Sequence, residues 1–378
     1  MHPPTPRLRP AMSNGKTLPQ DIITDILSRL PVKSLCRFKC VSPLWKSLIS
    51  DPCFAKTHLD QTKKKNSNYP EQKIVLFSSC GNYLNSVDYK DVNPTPKKLD
   101  FRTVAHDGER WFQVFSSCNG LLLVSRSDKS IFLLNPSTRE CKELPTCPFL
   151  QNSNSYGLGY DSSTNDYKVL MISQVQESES YVAMVAVYSL KTNAWTRIED
   201  SQYLFPSLIR FTFDGDPVGN SGGIFFNGRL HYLSFKKMNP GPGSNGIIIA
   251  FDLTGEIFME VPLPTPMAFT AFRLAILGDT LCLVGRGGNL VWMMKEYMAR
   301  ESWTRFKMSS GLQSVYAVLY MLAEDEFVLL ETKIEQRLVV YNYKTQSFTQ
   351  RGKLICGIPA GMRHGGSFVE SLVSPFHV

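Results

Sequence analysis

The sequence predicts a mainly β protein with a small α N-terminal module: three short helices followed by a β-propeller of about six blades. Three observations carry this. Residues 18–50, "LPQDIITDILSRLPVKSLCRFKCVSPLWKSLIS", repeat apolar positions at the period of a helix, with start and stop signals between the runs. From residue 71 onward the texture changes to short runs rich in β-branched and aromatic residues, separated by polar turns. Those runs recur at a period of roughly 50 residues, so residues 71–378 hold about six units.

Residues 1–16 are Pro-rich and lack the apolar stretch of a secretory signal; they read as a disordered tail in which Met12 is an alternative start. Pro19 suits the first position of a helix, where its missing N–H costs nothing, and Asp21 in the first turn meets the positive end of the helix dipole. Ile22, Ile23, Ile26, Leu27 and Leu30 then recur at helical spacing, and Pro31 stops the run. Ser34 reads as the N-cap of a second helix carrying Leu35, Phe38 and Val41. Ser42 followed by Pro43 repeats the cap-then-proline signal for a third, with Leu44, Trp45, Leu48 and Ile49. A unit of about 40 residues rarely buries enough apolar surface to stand alone. Here Ile22 and Ile23, Ile26 and Leu27, and Leu44 and Trp45 are adjacent pairs, so one core cannot cover them all. The surplus implies a partner or a docking surface on the body.

The run resembles an F-box, in particular the plant form. The matching residues are Leu18, Pro19, Asp21, Ile26, Leu27, Arg29, Leu30, Pro31, Val32, Lys33, Ser34, Leu35, Arg37, Phe38, Val41, Ser42, Trp45, Leu48 and Ile49. Pro43 stands where members commonly carry a polar residue. The resemblance implies an F-box over residues 17–60 that docks a Skp-family adaptor and, through it, cullin and RING subunits. It makes Leu18, Pro19, Ile22, Ile26, Leu27, Leu30, Pro31, Val32, Leu35, Phe38, Val41, Trp45 and Leu48 a mixture of adaptor contacts and F-box core. Spacing alone does not say which does which.

Residues 61–70, with Lys63, Lys64 and Lys65 followed by Asn66, Ser67 and Asn68, read as a polar linker. In the body, the turn threonines Thr138, Thr192, Thr254 and Thr345 fall 54, 62 and 91 residues apart, the last gap spanning two units, and Trp195, Trp303 and Phe348 begin strands. Radial closure disposes of exposed strand edges, which favours a propeller over an open sandwich, the alternative. This body resembles the plant F-box-associated domain in "SSCNGLLLV", "LLNPSTRECKELP", "YGLGYDSSTNDYKVL", "VYSLKTNAWTRI" and "LVWMMKEYMARESWTRF". It lacks the regular Gly-Gly doublets of true kelch repeats.

Charge is segregated. Residues 1–70 hold 12 Lys and Arg against 4 Asp and Glu, which is the whole net charge of +8, while residues 71–378 balance at 29 of each. A neutral body argues against a nucleic-acid partner. No apolar run approaches the roughly 18 residues of a membrane span. Nine cysteines without paired spacing, and no glycosylation acceptor, favour a reducing compartment, cytoplasmic and/or nuclear.

Several motifs mimic chemistry. Gly241, Gly243 and Gly246 match a dinucleotide fingerprint, and Gly219, Ser221 and Gly223 a nucleophile elbow, but strand-like sequence follows both where a helix is required. Asp214, Asp216 and Gly219 open like a calcium loop whose last ligand position is Phe225. Cys36 and Cys40 lack a second Cys/His pair, and the six histidines form no metal pair. The expectation is therefore a non-catalytic protein without a cofactor or metal, which agrees with what the resemblance implies: the substrate-recognition subunit of an SCF-type (Skp-cullin-F-box) ubiquitin ligase, its propeller binding an unidentified target protein. A glycan or small-molecule binding propeller is the alternative. The polar stretches 173–180, 213–223 and 236–246 are candidate recognition loops, and no target residue is assigned within them.

Overall fold

The computed structural model describes residues 18–65, 72–78, 84–88, 95–99, 101, 111–126, 129–149, 154–177, 180–201, 203, 222–234, 246–265, 272–285, 290–308, 315–323, 325–332, 336–354 and 362–377. The tail 1–16, most of 213–223 and 236–246, and the loop residues Asp214, Asp216, Gly219, Ser221, Gly241 and Gly243 lie outside them. The expected fold class holds: helices come first and, among the described residues, six four-stranded antiparallel sheets follow.

The helices are α1 (Gln20–Ser28), α2 (Val32–Phe38), α3 (Pro43–Ser50) and α4 (Pro52–Lys65), one more than the sequence suggests. At α3 the capping signal is realised: Ser42 is the N-cap, its hydroxyl accepts from the Trp45 amide at 3.2 Å, and Pro43 occupies the first turn. The expected cap at Ser34 is not. The second helix starts at Val32 after Pro31, whose carbonyl accepts from the amides of Ser34 and Leu35, so Ser34 sits inside the first turn. In α4, Asp51 Oδ1 accepts from the Phe54 amide at 3.0 Å, and Phe54, Ala55, His58 and Leu59 form its buried face. This helix runs through residues 61–65, which the sequence reading gave to the linker.

The blades follow in chain order. The first takes β1 (Gln72–Ser78), β2 (Leu84–Val87) and β3 (Lys97–Leu99); the second β4 (Trp111–Cys118), β5 (Leu121–Arg126), β6 (Ile131–Asn135) and β7 (Glu140–Glu143). The third holds β8 (Asn154–Asp161), β9 (Asp166–Glu177), β10 (Ser180–Ser189) and β11 (Ala194–Ser201); the fourth β12 (Ile224–Phe226), β13 (Arg229–Ser234), β14 (Ile247–Asp252) and β15 (Ile257–Val261). The fifth holds β16 (Phe272–Leu277), β17 (Thr280–Gly285), β18 (Leu290–Met294) and β19 (Trp303–Lys307); the sixth β20 (Val315–Ala323), β21 (Glu326–Thr332), β22 (Gln336–Asn342) and β23 (Ser347–Leu354). The last strand, β24 (Met362–Val369), pairs with β1 in the order β24-β1-β2-β3, with Lys73 opposite Phe368 and Ile74 opposite Ser367. Chain ends thus share one blade and close the ring. The innermost strands β24, β4, β8, β12, β16 and β20 are neighbours around the axis.

The turn threonines sit where the sequence put them, for a local reason. Asn135 Oδ1 accepts from the amides of Ser137 and Thr138, Asp252 Oδ1 from Thr254 and Gly255, and Asn342 Oδ1 from Lys344 and Thr345. Each turn then ends on a residue with positive φ: Arg139 at 61°, Glu256 at 54° and Gln346 at 52°. An Asx-capped turn followed by one left-handed residue reverses the chain in four residues and fixes the register of the outer two strands. Blades are also pinned to each other. Trp195 Nε1 donates to Pro145 O at 2.7 Å, and Trp303 Nε1 to Pro262 O at 2.8 Å, each reaching the segment that leaves the preceding blade. Residues 173–177 and 180 are strand rather than recognition loop: β9 and β10 extend until Glu177 faces Ser180. Gly223 follows Gly222 into an isolated bridge with Gly157, and β12, a strand, comes next. Likewise Gly246 leads into β14, and Phe225 lies within β12.

Candidate functional site

Antiparallel pairing places the turns β4–β5, β6–β7 and β8–β9 at one end of the ring, and the helices rest on that end. Lys63 Nζ donates to Asn119 Oδ1 at 2.7 Å, Cys36 Sγ to Ser137 O at 3.8 Å, and Lys56 Nζ to Asn165 Oδ1 at 3.0 Å while lying over the Tyr160 ring. Leu59 of α4 enters the apolar core that Phe115, Leu121, Tyr156 and Tyr167 form between the second and third blades. His58 Nε2 lies 2.8 Å from Leu30 O and ties α4 to the end of α1. Burial raises the Cys36 thiol above its ordinary range, which keeps it protonated.

The helices separate the residues that spacing could not. Leu27, Val32, Leu35, Ile49, Phe54 and Ala55 are buried together, with Leu30, Phe38, Trp45 and Leu48 packed partly against them. Phe38 and Trp45 meet edge to face, ring centroids 5.5 Å apart. On the other side Leu18 is 57% exposed, Ile22 46%, Ile26 47%, Val41 61% and Leu44 56%. Pro19 and Pro31 are also exposed. Ile22 and Ile26, four residues apart, share one face of α1, and Leu18 is exposed just before its N-cap Pro19.

Leu44 is the residue absent from the expected contact set. It stands beside Trp45 at the start of α3 and points outward where Trp45 points in; the adjacency of the two was the available signal. Charge frames the face. Asp25 and Arg29 pair at 2.9 Å on α1, and the carboxylate raises the guanidinium further above its ordinary value. Lys33, Arg37 and Lys46 are exposed on α2 and α3. Five exposed apolar residues on a small helical module, with its inner side already filled, fit burial against another protein.

The body holds buried polar groups with structural partners. Lys168 Nζ lies 3.1 Å from Asp161 Oδ2, 3.1 Å from Glu256 Oε1 and 2.7 Å from Leu253 O, joining the third and fourth blades. Burial alone would raise the Asp161 carboxyl, but hydrogen bonds from Ser163, Thr164 and Lys168 outweigh it and hold it well below the usual range. Burial also works against charge on Lys168, yet Asp161 and Glu256 prevail and raise it. His231 is fully buried, with Nε2 2.8 Å from the Tyr297 hydroxyl, and burial pushes its pKa down to about 4. Among the described residues no cluster of His, Cys, Asp and Glu could hold a metal ion, and no helix is long and apolar enough to cross a membrane.

The arrangement is that of a docking module fixed to one end of a closed β-propeller, a two-ended binding protein. Two family models match it: the F-box domain over residues 17–57 and the F-box associated beta propeller domain over residues 73–374. The chain belongs to the F-box proteins that carry an F-box associated beta propeller domain. It is 32% identical to F-box protein CPR1 of Arabidopsis thaliana, over 81% of this chain and 76% of that protein. It is 28% identical to F-box/kelch-repeat protein At3g23880 of the same plant, over 96% of this chain and 97% of the relative. Among solved structures, the six-bladed lectin of Aleuria aurantia aligns with a TM-score of 0.41 and 9% identity, over 78% of this chain and 99% of the lectin. Fucose recognition is a property of that lectin. At family level the chain is an F-box adaptor: the F-box implies binding to a Skp-family protein, the propeller implies binding of a target, and F-box proteins are in general non-catalytic.

Proposed function

We propose that this chain is the substrate-recognition subunit of an SCF-type ubiquitin ligase, working in the cytoplasm and/or nucleus. The observation that carries the reading is the set of exposed apolar residues Leu18, Ile22, Ile26, Val41 and Leu44, on and beside helices whose inner face is already packed. These residues, together with Pro19 and Pro31, contact the Skp-family adaptor; Leu27, Val32 and Leu35 hold the shape behind them. The adaptor connects to cullin and RING subunits that carry the ubiquitin chemistry. This chain contributes by raising the local concentration of target lysines near them.

The target binds at the end of the ring away from the helices. The tight turns at Asn119, Ser137 and Asn165 are already occupied by the F-box, and the passages between blades emerge at the other end. Co-purification of the full chain with a plant Skp-family adaptor tests the reading. Wild type is expected to co-purify, and the double change Leu18→Ala, Pro19→Ala to weaken it. A well-folded wild-type chain that does not bind rules the adaptor reading out.

A further inference from the structure

The four helices do not complete their own core. Leu372, more than 300 residues away in sequence, is buried among Leu27, Val32, Leu35, Ile49, Phe54 and Ala55. It lies three residues past the end of β24, the strand that closes the ring. Its neighbour Val373 turns the other way, into the core between the second and third blades that Leu59 also enters. The segment is therefore an exchange: α4 sends a leucine into the propeller, and the propeller's last residues send one back.

Asn135, fully buried at the end of β6, holds the segment in place. Its Nδ2 donates to Val373 O at 2.6 Å and to Ser371 O at 3.1 Å, while its Oδ1 caps the turn at Ser137 and Thr138. Both ends of this amide are used, so the same side chain shapes the turn on which Cys36 rests and clamps the tail that fills the helices. Gly120, at a φ of +87°, lies so close that a Cβ there would stand 2.3 Å from Ser371 Oγ. Glu370 pairs with Lys73 on β1, anchoring the segment to the closing blade.

We propose that Leu372 and Asn135 are positioning residues for the docking face: the helices present Leu18, Ile22, Ile26, Val41 and Leu44 in a binding geometry only once the last strand has closed the ring and its tail has filled their core. The adaptor half of this rests on the function proposed above; the packing half does not. A chain that has not finished its propeller then has no competent F-box. Recruitment to a ligase is thereby confined to molecules whose target-binding body is complete.

The test uses three chains otherwise identical to the full protein: one ending at Glu370, and the substitutions Leu372→Ala and Leu372→Met. Two readouts are taken, hydrogen exchange of the α1–α4 amides relative to those of the fifth blade, and affinity for a purified Skp-family adaptor. Leu372→Met is expected to match wild type within about threefold in both. Leu372→Ala should speed exchange of the helical amides by about thirtyfold, roughly 2 kcal/mol at 1.4 kcal/mol per tenfold, and leave the fifth blade unchanged. The chain ending at Glu370 should lose helical protection altogether and bind adaptor at least about tenfold more weakly. Unchanged helical exchange in Leu372→Ala overturns the proposal. So does unchanged adaptor affinity in the chain ending at Glu370. If wild type binds no adaptor, the docking reading fails, while the exchange readout still decides whether Leu372 completes the helices.

Discussion

Replacing Ile22 and Ile26 together by alanine separates binding from folding on the docking face. Each change removes the equivalent of about three methylenes, at ~0.8 kcal/mol apiece when fully buried. In the free chain the two side chains are 46% and 47% exposed, so only that share is left to bury on a partner. The loss on binding is therefore ~1 kcal/mol per residue and ~2 kcal/mol for the pair, close to thirtyfold in Kd. The share already covered in the free chain costs about 1 kcal/mol per residue in stability, partly offset by alanine's higher helix propensity, whereas the single change Leu35→Ala opens a cavity at a fully buried site and costs ~2–5 kcal/mol. Titration calorimetry with a purified Skp-family adaptor reads the first quantity and thermal melting the second. If the double variant stays folded at the assay temperature and binds just as tightly, this face of α1 is not the contact and the reasoning from exposure is wrong.

Three further outcomes follow from the body. Lys168→Met leaves Asp161 and Glu256 without their cation and should cost about 3 kcal/mol in chemical denaturation, whereas adding Asp161→Asn should recover part of that loss. The neutral form of His231 is the folded one. With a folded pKa of about 4 against ~6.5 when unfolded, its contribution is complete above pH ~6.5 and is lost at about 1.4 kcal/mol per unit as pH falls towards 4. His231→Gln should flatten the stability–pH slope in that window; an unchanged slope there refutes the assignment. Gly120→Ala should destabilise the whole chain by about 1–3 kcal/mol, seen as a lower melting temperature, since the new methyl meets Ser371 and the left-handed backbone disfavours it.

Local signals were legible in the sequence, and partnerships between distant segments were not. Ser42 before Pro43, and threonines two or three residues after Asn135, Asp252 and Asn342, act through atoms within a few residues of themselves, so their structure could be read directly. α4 escaped because its buried face is only Phe54, Ala55, His58 and Leu59, and three consecutive lysines make its last turn look like linker. Ser34 misled because a serine inside a first helical turn and a serine capping one carry the same letter. The inward or outward orientation of Ile26 and Leu27 depends on what covers each side, and adjacent apolar residues give no sign of that. Leu372 gave no signal at all: an isolated leucine in a short tail is indistinguishable from a surface residue until the ring brings it back to the helices.

Every blade has four strands, and an even number returns the chain to the end from which it entered. The consequence is one of parity. Six such circuits deliver residue 370 to the same side of the ring as residue 65, whatever the lengths of the passages on the far side. Insertions and deletions in those passages can therefore accumulate, and with them new choices of what is bound, without altering which side the helices occupy. Loss of a single strand would instead strand the two ends of the molecule on opposite faces.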